Sequence, residues 1–174
     1  MLTIKPINDY PSGTLEKLLV SAYSAFHREY PEYSEENYKK FHECDSFFYE
    51  NLEIGLNCSF VTEYHGNLCG MCCWDPRKFP EAVIGHNCIL PEFRGIGLGK
   101  EQLQTAVNLL FERGFTVISV STGTLDFFIP AQQMYRSAGF TELRRDNAEE
   151  AVNKLHANVY YELLKTTDVP LRKK

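Results

Sequence analysis

The stretch Arg94-Gly95-Ile96-Gly97-Leu98-Gly99-Lys100 restricts the fold of this chain more than any other. It follows an apolar segment from Ala82 to Pro91 that reads as a strand. It precedes a segment in which Leu103, Ala106, Val107 and Leu110 recur at helical spacing. A strand, a glycine loop and a helix must therefore succeed one another without a linker. Such a loop leaves the first backbone N–H groups of the helix without carbonyl partners, at the positive end of its dipole. This is an anion site suited to phosphate, and glycine lets the anion approach the backbone without Cβ atoms in the way.

The remaining pattern is α+β. Leu2 to Ile7 reads as a first strand. Pro11-Ser12-Gly13 opens a helix with Leu15, Leu18, Leu19, Ala22 and Phe26 on one face, stopped at Pro31. Ser34 is the expected N-cap of a second helix, with Glu35 and Glu36 in its first turn and Tyr49 near its end. Its aromatic residues suit either core packing or a lid over a substrate. Two strands, Cys58 to Tyr64 and Leu68 to Trp74, flank a hairpin turn at His65-Gly66-Asn67. A loop from Asp75 to Pro80 follows. Beyond the glycine loop and its helix, which Gly114 closes, come a strand from Phe115 to Ser121, a helix opened by Pro130 and closed by Gly139, and strands from Phe140 and from Asn158 to Leu164. No repeat or linker divides the sequence. One domain over residues 1–174 is expected, with about 166–174, including Arg172-Lys173-Lys174, as a flexible tail.

Composition narrows the function. The 174 residues carry a net charge of −5, which disfavours nucleic acid and anionic membrane as partners and hints at a cationic acceptor if the protein is an enzyme. No apolar run is long enough to span a membrane, and the N-terminus lacks the pattern of an export signal, so a cytoplasmic location is expected. Cys69 and Cys72 form a C-x-x-C pair, but no second pair or His-x-x-x-His segment completes a zinc site. With Cys73 they lie in an apolar strand, where free cysteine is an ordinary small core residue, and no metal is expected.

Two familiar phosphate loops fail on this sequence. A Walker loop would place glycine where Arg94 stands and Ser or Thr where Glu101 stands. A dinucleotide fingerprint would place its third glycine at Lys100. A third pattern fits. Arg94-x-x-Gly97-x-Gly99 resembles the R/Q-x-x-G-x-G/A motif of the GCN5-related N-acetyltransferase (GNAT) family. Ile89 to Gly95 is similar to that family's strand-four exit, V-x-P-x-x-R-G. Ala131 to Phe140, with Met134, Tyr135 and Gly139, resembles its later A-x-x-[LM]-Y-x-x-x-G-F motif. The specific part of the resemblance runs from Ala82 to Phe140. One departure stands out: the family often has Asn three residues before the motif alanine, and here that position is Phe128.

The resemblance implies a GNAT-like fold: a mixed, mostly antiparallel sheet of six to seven strands, flanked by helices and splayed between strands four and five. It implies acetyl-CoA as co-substrate, with the pyrophosphate held by backbone N–H groups across Gly95, Ile96, Gly97, Leu98, Gly99 and Lys100, and charge added by Arg94 and Lys100. The pantetheine arm would run along the backbone of Ile89 and Leu90. The reaction implied is direct attack of a primary amine, on an unidentified small molecule or peptide, upon the thioester. Tyr135 would be the general acid toward the CoA sulfur, and the Ile89 N–H would donate to the oxyanion. His86 is a candidate base, with Glu81 and Glu63 behind it; strand alternation sets His86 opposite Asn87, but the face toward the acceptor stays open. A homodimer is a further expectation from the resemblance. The alternative from another class is a catalytically silent acyl-CoA sensor or scaffold on the same fold.

Overall fold

A computed structural model describes residues 1–147 and 157–166. The predicted tail lies, from residue 167 on, outside the described residues. Seven strands form one sheet: β1 (Leu2–Lys5), β2 (Ser59–Tyr64), β3 (Asn67–Lys78), β4 (Glu81–Ile89), β5 (Val117–Gly123), β6 (Thr141–Arg145) and β7 (Asn158–Leu164). Their order is β1-β2-β3-β4-β5-β7-β6. Every neighbouring pair is antiparallel except β4 and β5, which run parallel. The helices are α1 (Thr14–Ala22), α2 (Ser24–Glu29), α3 (Ser34–Glu50), α4 (Leu52–Cys58), α5 (Leu98–Glu112) and α6 (Ile129–Ser137). The mixed sheet of the expected fold is present, and its apolar periodicities explain it. Leu103, Ala106, Val107 and Leu110 of α5 are all buried, as are Leu15, Leu18 and Leu19 of α1.

The site depends on how β4 and β5 part. They pair only from Glu81↔Val117 to Ile84↔Val120. β4 then continues to Ile89 and β5 to Gly123 without pairing to each other. The cause is visible on the other side of β4. Its register against β3 slips between Cys73 and Trp74, so that Cys73 faces His86, Trp74 faces Ile84, and Gly85 has no opposite residue. A bulge bends its strand and increases the local twist. Beyond Gly85, β4 therefore follows β3 and leaves β5, and the splay opens there.

Several expectations need correction. The first predicted helix is two: the chain breaks at Tyr23, with φ −95° and ψ 6°. The break sends Phe26 of α2 into a cluster of rings with Tyr23, Tyr30, Phe127 and Phe128. Ser34 is not an N-cap; a short 3-10 turn at Pro31–Tyr33 runs directly into α3, and no side chain caps it. The predicted loop from Asp75 to Pro80 is largely strand, because β3 extends to Lys78. Pro76 is tolerated there because the register shifts between Asp75 and Lys78, so its missing N–H interrupts no regular ladder. Helix α4 has no counterpart in the sequence reading.

Candidate active site

Leu90 N–H donates to Cys69 O at 2.8 Å, which sets the phase of the β3–β4 ladder. Hydrogen-bonded and non-hydrogen-bonded pairs alternate along an antiparallel ladder. The registers Gly70↔Ile89 and Cys72↔Asn87 are therefore the non-bonded ones, and the N–H groups of Ile89 and Asn87 point away from β3 into the splay. Leu90 is the correction here: its N–H already has a partner, and its side of the strand does not line the cleft. The Ile89 carbonyl also faces the cleft side, where it accepts from Arg94 Nε at 2.9 Å.

A cavity of about 530 Å³ fills the splay. The glycine loop forms one end of it through Gly95, Gly97, Leu98, Gly99 and Lys100; Ile96 points outward and is 60% exposed. Gly97 is the left-handed N-cap of α5, with φ 91° and ψ −5°. The N–H groups of Lys100 and Glu101 both close on Gly97 O at 3.1 Å. Those just before them, at Leu98 and Gly99, belong to the unpartnered first turn of a fifteen-residue helix. A Cβ built on Gly95 or Gly97 would meet no protein atom within 4 Å, so the space over the loop is open to an anion. Gly99 serves another purpose. A Cβ there would sit 3.3 Å from Met134 Sδ, so its lack of a side chain lets α5 start close against α6.

The two cations beside the loop are used as struts. Arg94 bridges Ile89 O and Ala22 O, the latter at 2.6 Å, tying the loop to the ends of β4 and α1. Lys100 Nζ donates to Ser137 O at 2.7 Å and ties α5 to the end of α6. Their charge stays near the anion site, but their hydrogen bonds hold the protein's own backbone.

The two candidate catalytic side chains reach the same cavity from different walls. Tyr135 of α6 is 5% exposed and lines the cavity. Burial raises its pKa well above the ordinary phenol range, so it stays protonated. His86 lies on the α3 side of β4, with its ring 6.0 Å from that of Phe41. Burial pushes its pKa down to about 4, leaving a neutral imidazole at pH 7. Glu81 and Glu63 are elsewhere. Glu81 begins β4 at its paired end and accepts from Ser119, and Glu63 of β2 accepts from Tyr10.

A second cavity of about 380 Å³ adjoins the first and shares Tyr23, His86, Ser121, Thr122 and Phe128 with it. Asn37, Lys40 and Phe41 of α3, Gly123 of β5 and Asn158 of β7 complete its wall. His86 thus stands at the boundary of the two, and this is the face that strand alternation alone left open. Among the described residues no Asp or Glu lines either cavity. The overall negative charge is spread elsewhere and does not make a cation site here. Phe128 packs against Gly123 at the end of β5, where a Cβ would come within 2.4 Å of its ring. Its ring lines both cavities. The C-x-x-C pair is separated by the strand itself. Cys72 belongs to the main core, while Cys69 packs in a smaller cluster with Ile89 and Leu98, and burial raises both thiol pKa values.

The sequence matches the acetyltransferase (GNAT) family across residues 15–140. A Bacillus subtilis (strain 168) protein, named as a candidate ribosomal protein bS18-alanine N-acetyltransferase, is 32% identical over 115 residues, covering 62% of this chain and 74% of its own. The ribosomal-protein-S18-alanine N-acetyltransferase of Escherichia coli superposes with a TM-score of 0.67 at 17% identity, over 99% of this chain and 100% of that one. The PaiA N-acetyltransferase of Thermoplasma acidophilum, solved with coenzyme A, superposes with a TM-score of 0.69 at 15% identity, over 95% and 99%.

Proposed function

The chain belongs to the acetyltransferase (GNAT) family, and on that premise we propose that it transfers an acetyl group from acetyl-CoA to a primary amine, on a small molecule or a peptide, by direct attack. The observation that carries this reading is the splay beyond Ile84↔Val120, which opens between a phosphate-sized cradle and a second cavity. The cradle fits the donor: α5 presents unpaired N–H groups, the space above Gly95 and Gly97 is open, and among the described residues the charged side chains lining it are Arg94 and Lys100. Acetyl-CoA supplies the activated acyl group. The residues of this chain bind, orient and stabilise around it.

The Ile89 N–H is directed into the splay and is the donor we assign to the developing oxyanion. The second cavity is where we place the acceptor amine, on the other side of His86 from the cradle. A neutral His86 accepts a hydrogen bond from that amine and orients it. With a pKa near 4 it is a weak base, so the proton passes on to water. Tyr135 keeps its own proton and donates a hydrogen bond to the departing thiolate; its raised pKa favours stabilisation by that bond over complete proton transfer. The names of the two alanine N-acetyltransferases make peptides with an N-terminal alanine a first acceptor to try. Six free cysteines support a reducing, cytoplasmic location, and among the described residues no helix is long and apolar enough to cross a membrane.

The weak basicity of His86 gives the alternative reading, a silent acyl-CoA sensor, its footing. Release of free CoA from acetyl-CoA in the presence of a panel of amines and N-terminal peptides separates the two. Acceptor-dependent thiol release establishes the transferase. Saturable acetyl-CoA binding with no release on any acceptor establishes the sensor.

A further inference from the structure

Gln102 sits one turn inside α5 and is fully buried, an unusual place for a carboxamide. Its Nε2 donates to Met71 O at 2.8 Å, to Asn87 Oδ1 at 2.7 Å and, at 3.2 Å, to Cys88 O. Its Oε1 accepts from Thr62 Oγ1 at 2.5 Å. One side chain therefore stitches the helix that begins with the cradle to β2, β3 and β4. The room for it is made by Gly70, where a Cβ would lie 2.8 Å from Gln102 Oε1 and 2.4 Å from Cys88 O.

The network also decides which way Asn87 faces. Two backbone carbonyls, Met71 O and Cys88 O, can only accept, so the Gln102 atom between them is its NH₂ group. The Asn87 atom that meets that NH₂ must then be the carbonyl oxygen, and the Asn87 NH₂ is turned the other way. There, among the described residues, it finds only long contacts, to Gly99 O at 3.4 Å and Met134 Sδ at 3.7 Å. Two protons are thus aimed, with little to bond to, into the wall of the larger cavity beside the start of α5.

We propose that Asn87 is a donor-binding residue, its side-chain NH₂ bonding an amide carbonyl of the pantetheine arm, and that Gln102 is a positioning residue that holds it in that orientation. The inference rests on the acyl-CoA reading. It goes beyond that reading by assigning a side-chain contact on the face of β4 opposite to His86.

The test is calorimetric binding of CoA and of 3′,5′-ADP, which lacks the arm and the phosphate that carries it, to the full chain and its variants. Asn87→Ala is expected to bind CoA about five-fold more weakly, as the loss of one hydrogen bond implies, with 3′,5′-ADP affinity unchanged. Gln102→Leu, close in volume, is expected to show the same split. The double variant is expected to lose no more than Asn87→Ala alone, because Gln102 acts through Asn87. If Gln102→Leu does not fold, Asn87→Ala decides the matter together with the side-chain ¹⁵NH₂ resonances of Asn87 in the unaltered protein, which should shift with CoA and not with 3′,5′-ADP. Unchanged CoA affinity in Asn87→Ala overturns the proposal and leaves the acyl-CoA reading standing. Equal losses for both ligands overturn it too, since they mean a general disturbance of the cradle. Failure of the unaltered protein to bind CoA removes both.

Discussion

Gly97 and Gly13 form a matched pair that can separate the fold from the function. Both are left-handed N-caps of long helices, Gly97 at φ 91° and ψ −5°, Gly13 at φ 89° and ψ −6°. At neither would a Cβ meet a protein atom within 4 Å. Alanine at either position therefore incurs the same penalty, the strain of a left-handed backbone, about 1–2 kcal/mol. For a chain of this size that lowers Tm by roughly 2–8 °C. The Gly13 N–H bond to Asp45 Oδ2, at 2.7 Å, uses the backbone and survives the change. The difference lies in what occupies the open space. Over Gly13 the proposed function places nothing; over Gly97, on our reading, it places the CoA pyrophosphate. Each N–H bond to a charged oxygen is worth about 1.5–3 kcal/mol, so displacing the anion from one of them weakens CoA at least about ten-fold. Thermal melts and calorimetry on both variants, side by side, make the comparison. The expected result is an equal loss of Tm and a loss of CoA affinity in Gly97→Ala only. Full CoA affinity in Gly97→Ala would refute the cradle, and a matching loss in Gly13→Ala would show that the effect is general destabilisation.

Three further expectations concern single side chains. Tyr135→Phe should leave CoA affinity within error, because the ring that lines the cavity is kept, and should lower turnover about ten-fold or more; unchanged turnover would remove its role toward the thiolate. His86 titrates near 4 in the fold against 6.5 unfolded, so the unfolded chain binds the extra proton first. Its contribution to stability is present above pH 6.5 and is lost as the pH falls toward 4, and His86→Gln should flatten that part of a denaturation-versus-pH curve; an unaltered slope would contradict the assigned burial. Gly70→Ala should destabilise by about 1–3 kcal/mol, since its Cβ would come 2.4 Å from the Cys88 carbonyl, a backbone atom that cannot swing aside. A melt indistinguishable from that of the parent would count against the tight packing around Gln102.

Much of the donor side was legible in the sequence because it is local. Arg94 to Lys100, with an apolar strand before and an amphipathic helix after, specifies its own geometry: left-handed glycines at Gly95 and Gly97 and unpaired N–H groups at the start of α5. The motif from Ala131 to Phe140 likewise folds as read, with Pro130 in its first turn and Gly139 at positive φ. The misreadings were also local in origin. Pro76 lies in a segment that reads as a loop, yet a register shift in β3 accommodates it. Ser34 carried the chemistry of a cap, yet the chain enters α3 through a 3-10 turn that leaves it nothing to cap.

Asn87 and Gln102 show what sequence reading misses. Gln102 sits among apolar helix positions and looks like one polar residue more, while its four partners come from Thr62, Met71, Asn87 and Cys88, up to forty residues away. Whether His86 faces the donor or the acceptor depends on the phase of a strand relative to its neighbours. A single hydrogen bond, Leu90 N–H to Cys69 O, and a single bulge, at Gly85, set that phase.

The sequence by itself determined the anion cradle, the order of the elements and the donor chemistry they suit, because backbone conformation and helix polarity depend on residues close together in the chain. Only the tertiary structure decided which N–H groups face the splay, which of two adjacent strand residues faces which cavity, and that among the described residues no Asp or Glu lines either cavity. Those depend on registers and contacts between segments far apart in sequence, and no local pattern encodes them.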